Sequence, residues 1–286
     1  CSFLRFDGAW VFFVNIVFVG GGNMAAALIG GMLQQGFPAA NLRVIDLSAP
    51  ARDRFAGLGV GASEQWVDGP GQDPSPADVV VFAVKPQNMK AAVSGVKSQC
   101  AGALVISIAA GIRCADIARW LGGHERIVRV MPNTPALIGE GVSGLFATPG
   151  VGADDRQAAN VIVTAAGKSV WLEDEVQLDS VTAVSGSGPG YVFYFIEALE
   201  EAATKLGLEA KAARLLAIET FRGAAQLAAI SEDSPAQLRA KVTSRGGTTQ
   251  QALAAMESSE VSALIVQAVE QAAQRAREMG DEFGDD

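Results

Sequence analysis

The first half of the chain alternates short, continuous apolar runs with stretches of helical periodicity. Residues 14–19 are rich in β-branched and aromatic side chains and predict a strand. Residues 23–35 follow with apolar Met24, Leu28, Met32 and Leu33 at helical spacing. Further strands are predicted at 42–45, 79–84, 104–108 and 127–130. Runs that stay apolar throughout, separated by helices, imply a parallel sheet covered on both faces. Residues 69–76, rich in Gly and Pro, are a loop by composition.

Past about Trp171 the pattern changes, and no run after Glu173 has strand character. Residues 191–206 carry an apolar stripe of Val192, Phe195, Ile196, Leu199, Ala203 and Leu206. Ser187-Gly188-Pro189 signals its start, with Ser187 as N-cap and proline in the first turn. More helices are predicted at 210–230, 235–242, 249–256 and 261–279. The fold class expected is an α/β Rossmann-type doubly wound sheet followed by an all-α C-terminal domain. The domains expected are 14–173 and 174–286, behind an extension of unknown structure at 1–13.

Composition narrows the class. Of 286 residues, 49% are hydrophobic, which suits a packed globular chain. A net charge of -9 argues against a nucleic-acid surface, because phosphate binding needs a basic patch. Cys1, Cys100 and Cys114 have no metal-ligand spacing, so no metal is expected. They suit reduced thiols in a cytoplasmic protein. The apolar run at 9–20, broken by Asn15, is too short to span a bilayer. Arg5 is offset by Asp7 and the run leads straight into a glycine loop, which does not suit a signal peptide. Residues 1–13, which open on Cys1, suggest an extension or an upstream misread, with the functional chain beginning near Val14.

Six segments carry candidate chemistry. Gly20-Gly21-Gly22-Asn23-Met24-Ala25 fits G-x-G-x-x-A between a strand and a helix, the context of a dinucleotide fingerprint. Gly20 permits the tight turn, Gly22 admits the pyrophosphate, and Ala25 keeps helix and strand close. Asp46, ending the second strand, is placed to bond the adenosine ribose, which favours NAD; Arg43, Ser48 and Arg52 could hold a 2′-phosphate, which favours NADP. Val84-Lys85-Pro86 ends the third predicted strand, and Lys85 there could donate to a ribose hydroxyl or to the substrate. Asn133, between two prolines after the fifth strand, could orient a nicotinamide carboxamide or simply cap its own turn. Ser187 and Gly188 could close over a small ligand or only cap a helix. Residues 242–249 place Gly246, Gly247, Thr248 and Thr249 at a helix N-terminus, a cradle for a carboxylate or an ordinary capped turn. His124, the only histidine, lies in a loop-like stretch before a strand. A 2-hydroxyacid dehydrogenase needs a positioned histidine to move the alcohol proton. A protonated C=N bond needs less help to accept hydride.

Taken together, the ordered segments around 19–24, 84–87, 107–111, 129–135, 183–189 and 242–249 resemble the pyrroline-5-carboxylate reductase family. The resemblance runs from about residue 15 to residue 279. It implies reduction of 1-pyrroline-5-carboxylate to L-proline, with NADPH favoured and NADH accepted. It also implies a helical domain that interlocks with a second subunit, giving a homodimer or a larger homo-oligomer, and an active site between the two domains. It places Ala109 with the cofactor group and sets the substrate carboxylate against Ser244 to Thr249. Thr249 would bond near the ring nitrogen or carboxylate, with Glu232 assisting and Lys85 nearby. The chain departs from the family at Gly190, where alanine is usual, and at Arg245, where proline is common. Three rivals stand beside this reading. A β-hydroxyacid dehydrogenase would need a lysine in a Gly-x-x-Gly-x-x-x-Lys setting, which Lys205 and Lys211 lack. A nucleotide-sensing protein would bind without turnover. An enzyme for a six-membered imine would differ by one methylene, worth about 1–3 kcal/mol in a pocket.

Overall fold

A computed structural model describes residues 14–66 and 77–284. The expected extension at 1–13 and loop at 69–76 lie outside the described residues. Backbone contacts divide the chain into two units, one of residues up to Ser187 together with those from Ala272 onward, the other Gly188–Gln271.

The first unit is built on one eight-stranded sheet. Its strands are β1 (Ile16–Val19), β2 (Leu42–Ile45), β3 (Gly61–Ser63), β4 (Val79–Phe82), β5 (Leu104–Ser107), β6 (Ile127–Met131), β7 (Gly141–Ala147) and β8 (Gly167–Trp171). Their spatial order is β3-β2-β1-β4-β5-β6-β7-β8. All neighbours are parallel except β6 and β7. The helices of this unit include α1 (Asn23–Gln34), α2 (Ala49–Ala56), α3 (Met89–Gly95), α4 (Cys114–Leu121), α5 (Ala153–Thr164) and α6 (Gln177–Val181).

The apolar runs are explained by burial on both faces. Ile16 and Phe18 of β1 join Leu28 and Ile29 of α1 and Ile162 of α5 in one core. Val17 and Val19 point the other way, into a core with Val93 of α3 and Ile117 of α4. Each such side chain contributes roughly 1.5–3 kcal/mol. Strand order reverses between β1 and β4, the topological switch point beside which doubly wound sheets bind their ligands.

Three strands were not among the five predicted. β3 is only three residues, Gly-Ala-Ser, with no apolar run to mark it. β7 contains Gly141, Ser143 and Gly144 because α6 packs against it; a Cβ at Gly144 would meet both Val181 methyl carbons at 2.9 Å. β8 has alternating half-buried and exposed residues. Because β7 runs antiparallel to β6, the sheet is mixed.

Among the described residues after Trp171, every regular element is helical. The second unit holds α7 (Gly188–Lys205), α8 (Ala210–Ile230), α9 (Pro235–Lys241), α10 (Thr248–Ser258) and the first part of α11 (Val261–Gly284). α7 and α8 pack together, with the Phe195 and Phe221 rings stacked at 6.4 Å. Gly207, at φ +94°, ends α7, and Leu208 N–H returns to the Ala203 carbonyl. Ser234 and Gln237 form a reciprocal capping box on α9.

The start of α7 differs from the sequence expectation. Ser187 has helical angles, φ −83° and ψ −21°, where an N-cap would be extended. A π turn at Thr182–Gly186 carries the helical backbone on from α6, and Ser187 N–H donates to the Thr182 carbonyl at 2.8 Å. The contact division falls after Ser187, because α6 packs on β6 and β7 of the first unit.

Candidate functional site

The glycine loop follows β1, at this switch point. Gly20 has φ +101° and donates to the Ile45 carbonyl, so the turn is tied to the end of β2. A Cβ on Gly20 would lie 2.7 Å from the Ala83 carbonyl carbon and oxygen and 2.9 Å from a Val84 methyl. Only glycine fits there. Gly21 N–H donates to an Asp46 carboxylate oxygen at 2.6 Å. Gly22 is the extended N-cap of α1, has no side-chain cap, and is exposed. A Cβ on Gly22 would meet only the Ala83 carbonyl oxygen, at 3.9 Å. The fold therefore leaves open the space in front of the α1 N-terminus, where main-chain N–H groups suit a pyrophosphate. Asn23 opens α1 beside it, and Met24 packs partly into the core.

Other predicted cofactor residues line the same rim, at the carboxyl ends of neighbouring strands. Val84, Lys85 and Pro86 follow β4, and Lys85 is exposed. Ala109 follows β5 and is buried. Asn133 follows β6 and is buried, but its Oδ1 accepts from Val142 N–H at 2.9 Å. Its amide oxygen is thus engaged in pinning the start of β7. Ser48 is exposed and its N–H donates to the second Asp46 carboxylate oxygen at 2.7 Å.

Several predicted substrate residues gather in one turn of the second unit. Gly246 has φ +74°, and its N–H donates to Gln250 Oε1 at 2.5 Å. Gly247 is the N-cap of α10 and donates to the Ser244 carbonyl at 3.0 Å. Thr248 is the first residue of α10 and Thr249 the second, half-buried. The turn thus offers the Thr248 and Thr249 hydroxyls and the N–H groups that open α10 at a helix N-terminus, where an anion is favoured. Glu232 is exposed in the connection between α8 and α9. Ser187 and Gly188 lie at the start of α7, both half-buried.

Sequence reasoning passed over a buried ionic cluster in the first unit. Arg129 of β6 is 5% exposed, pairs with Glu175 at 3.0 Å and faces Asp179 at 3.9 Å. Glu175 also accepts from Cys114 N–H at 2.8 Å, which caps α4. Arg113 pairs with Asp281 of α11 at 2.6 Å, and Arg119 donates to the Gly284 carbonyl. Burial pushes the Asp179 carboxyl above the usual aspartate range, against the pull of Arg129 and Arg113. The signal was available: one arginine inside an otherwise apolar strand needs a partner. His124 lies before β6, at the strand end away from the glycine loop, with a buried and unbonded Nε2. Among the described residues, no group of three or more His, Cys, Asp or Glu is placed to hold a metal, and no single helix is long and apolar enough to cross a membrane.

A fingerprint loop at the switch point of a doubly wound sheet, joined to a helical unit, defines a two-domain dinucleotide-dependent oxidoreductase. Residues 15–111 match the family described as NADP oxidoreductase, coenzyme F420-dependent, and residues 175–279 match pyrroline-5-carboxylate reductase dimerisation. The pyrroline-5-carboxylate reductase of Pseudomonas aeruginosa is 44% identical over 94% of this chain and 98% of that protein. That of Arabidopsis thaliana is 36% identical over 93% and 95%. Among solved structures, the Coxiella burnetii pyrroline-5-carboxylate reductase matches with a TM-score of 0.86, 40% identity, and 93% and 98% coverage. The NADP-bound Plasmodium falciparum pyrroline carboxylate reductase matches at 0.82, with 28% identity and 94% and 98% coverage. The chain belongs to the pyrroline-5-carboxylate reductase family.

Proposed function

We propose that this chain reduces 1-pyrroline-5-carboxylate to L-proline, the last step of proline biosynthesis, with NADPH or NADH as reductant. Family resemblance favours NADPH. The observation that carries the reading is the pairing, in one chain, of an open Gly22 cradle with a carboxylate-suited turn at Ser244–Thr249, in a sequence 44% identical to a named reductase.

When bound, the nicotinamide supplies hydride; every other task falls to the chain. The main-chain N–H groups opening α1 neutralise the pyrophosphate, and Gly20, Gly21 and Gly22 admit it closely. Val84, Lys85, Pro86, Ala109 and Asn133 line the rim for the remainder of the cofactor. The hydroxyls between Ser244 and Thr249 and the N–H groups that open α10 grip the substrate carboxylate. Thr249 steadies the ring nitrogen or carboxylate, Glu232 assists, and Ser187 and Gly188 close over the ring. The imine nitrogen enters carrying its proton, so the ring carbon accepts two electrons with hydride and the nitrogen becomes a secondary amine. One cofactor and one proton are consumed per proline. Catalysis is then chiefly positioning.

The working form is a homodimer or a larger homo-oligomer. The second unit exposes Phe193 at 64%, Tyr194 at 70%, Leu215 at 62% and Leu216 at 53%. A lone chain rarely leaves so much apolar surface bare. Its setting is the cytoplasm, where free Cys100 and Cys114 stay reduced.

A substrate panel tests the reading. NAD(P)H oxidation with pyrroline-5-carboxylate, and none with 3-oxo acids, supports it. Turnover of the oxo acids instead points to a β-hydroxyacid dehydrogenase, and binding without turnover points to a nucleotide sensor.

A further inference from the structure

We infer that this chain departs from the NADPH preference its family resemblance favours and prefers NADH, and that Asp46 makes the choice. The inference rests on the reading above only in taking the glycine loop as the dinucleotide site.

In this fold the adenosine ribose lies beside the end of the second strand. Asp46 stands there with its carboxylate fixed by two main-chain donors, Gly21 N–H at 2.6 Å and Ser48 N–H at 2.7 Å. Anchored at both oxygens, it cannot swing away from the loop without giving up both bonds. Each oxygen keeps a lone pair, so the group accepts readily from ribose hydroxyls. Toward a 2′-phosphate it presents only negative charge.

A site for that phosphate would need free cations close by, and the arginines of β2 and α2 are engaged elsewhere. Arg54 donates to the carbonyl oxygens of Gly21 and Gly22 and so supports the loop from its own main chain. Arg52 donates to the carbonyls of Asp46 and Leu47, both at 2.8 Å, and lies 3.5 Å from the Glu64 carboxylate. Arg43 is drawn over the Trp66 ring, 5.4 Å from its centre. Two of the residues that could have held a 2′-phosphate, Arg43 and Arg52, are thus partnered in ways that serve the strand and loop. Ser48 remains, and a neutral hydroxyl does not offset the Asp46 charge.

The test is a pair of measurements on the full-length protein. Calorimetric titration gives dissociation constants for NAD+ and NADP+, with 5′-AMP and 2′-AMP as competitors. Steady-state assays with pyrroline-5-carboxylate give kcat/KM for NADH and NADPH. The wild type should bind NAD+ at least ten-fold more tightly than NADP+, and 2′-AMP should compete poorly. Asp46→Asn, which keeps an acceptor for Gly21 N–H, should narrow that ratio ten-fold or more, and Asp46→Ser should do the same. Equal or tighter NADP+ binding by the wild type overturns the inference, as does an unchanged ratio in both variants of unaltered melting temperature. Selective NAD+ binding without turnover of the imine would uphold it while removing the proposed reaction.

Discussion

Gly22 separates what the ligand demands from what the fold demands. Its φ of −68° and ψ of −175° are open to any residue, and a Cβ would meet only one oxygen, at 3.9 Å. Replacing glycine by alanine at a compatible backbone stabilises by ~0.4–1 kcal/mol through the unfolded state. Alanine is also a worse N-cap than glycine, by about 1 kcal/mol. The two effects nearly cancel, so Gly22→Ala should unfold in urea close to the wild type. The pyrophosphate, however, must come within hydrogen-bond distance of this backbone. A methyl group there should weaken cofactor binding at least ten-fold, or about 1.4 kcal/mol, and Gly22→Val should abolish it. Gly20 behaves the opposite way. Its left-handed φ costs a side chain about 1–3 kcal/mol, and the 2.7 Å overlap with Ala83 adds about 1–3 kcal/mol more. Gly20→Ala should therefore lose stability first. Urea melts and fluorescence titrations with reduced cofactor read both quantities. Wild-type binding by Gly22→Val, or a stability loss in it matching Gly20→Ala, would refute the cradle.

Other outcomes follow from single sites. Thr249→Ala should raise KM for the imine more than it changes KM for the cofactor; equal effects on both would remove Thr249 from the substrate. Asp179 has its folded-state carboxyl raised by burial, so its contribution to stability is full at acid pH and is lost as pH rises through its folded value. Asp179→Asn should accordingly melt higher than wild type at neutral pH, with the difference vanishing near pH 4 (about the ordinary aspartate value); a difference that grows toward acid contradicts this. Burial pushes the Cys100 thiol up to about 12 and raises Cys114 as well, with Glu175 adding to the latter. In a Cys1→Ser protein, neither should react with a disulfide reagent at pH 8 until urea is added. Gly190 lies in α7, where an added methyl would have no neighbour within 4 Å, so Gly190→Ala should stabilise by roughly 0.5–1 kcal/mol; a lower melting temperature would show hidden crowding.

Legibility in the sequence tracked how directly burial writes itself into residue type. β1 and β4 are buried on both faces, and their unbroken Val, Ile and Phe runs were plain. β7 hid because close neighbours on its faces require glycine at two of its positions, which removes the apolar signature. β3 and β8 are short or half-exposed. Ser187-Gly188-Pro189 carries the marks of a helix start, yet the π turn before it lets the chain pass through in helical conformation. At the glycine loop, the motif and its flanks predicted the tight turn at Gly20 and the helix that opens after Gly22. The roles of Arg52 and Arg54 were not visible, because a guanidinium's partner is a matter of which carbonyl it reaches, and spacing does not encode that. Arg129 was legible as an anomaly, but its partners lie 46 and 50 positions on, joined only by the fold.

The most direct measurement follows the hydride itself. Purified protein is incubated with 1-pyrroline-5-carboxylate and reduced cofactor carrying two deuterium atoms at nicotinamide C4, and the product is examined by mass spectrometry and proton NMR. L-Proline with one deuterium, at the carbon that was double-bonded to nitrogen, in amounts equal to the cofactor oxidised, is the expected result. Cofactor bound but no proline formed, or proline without label, would contradict the account.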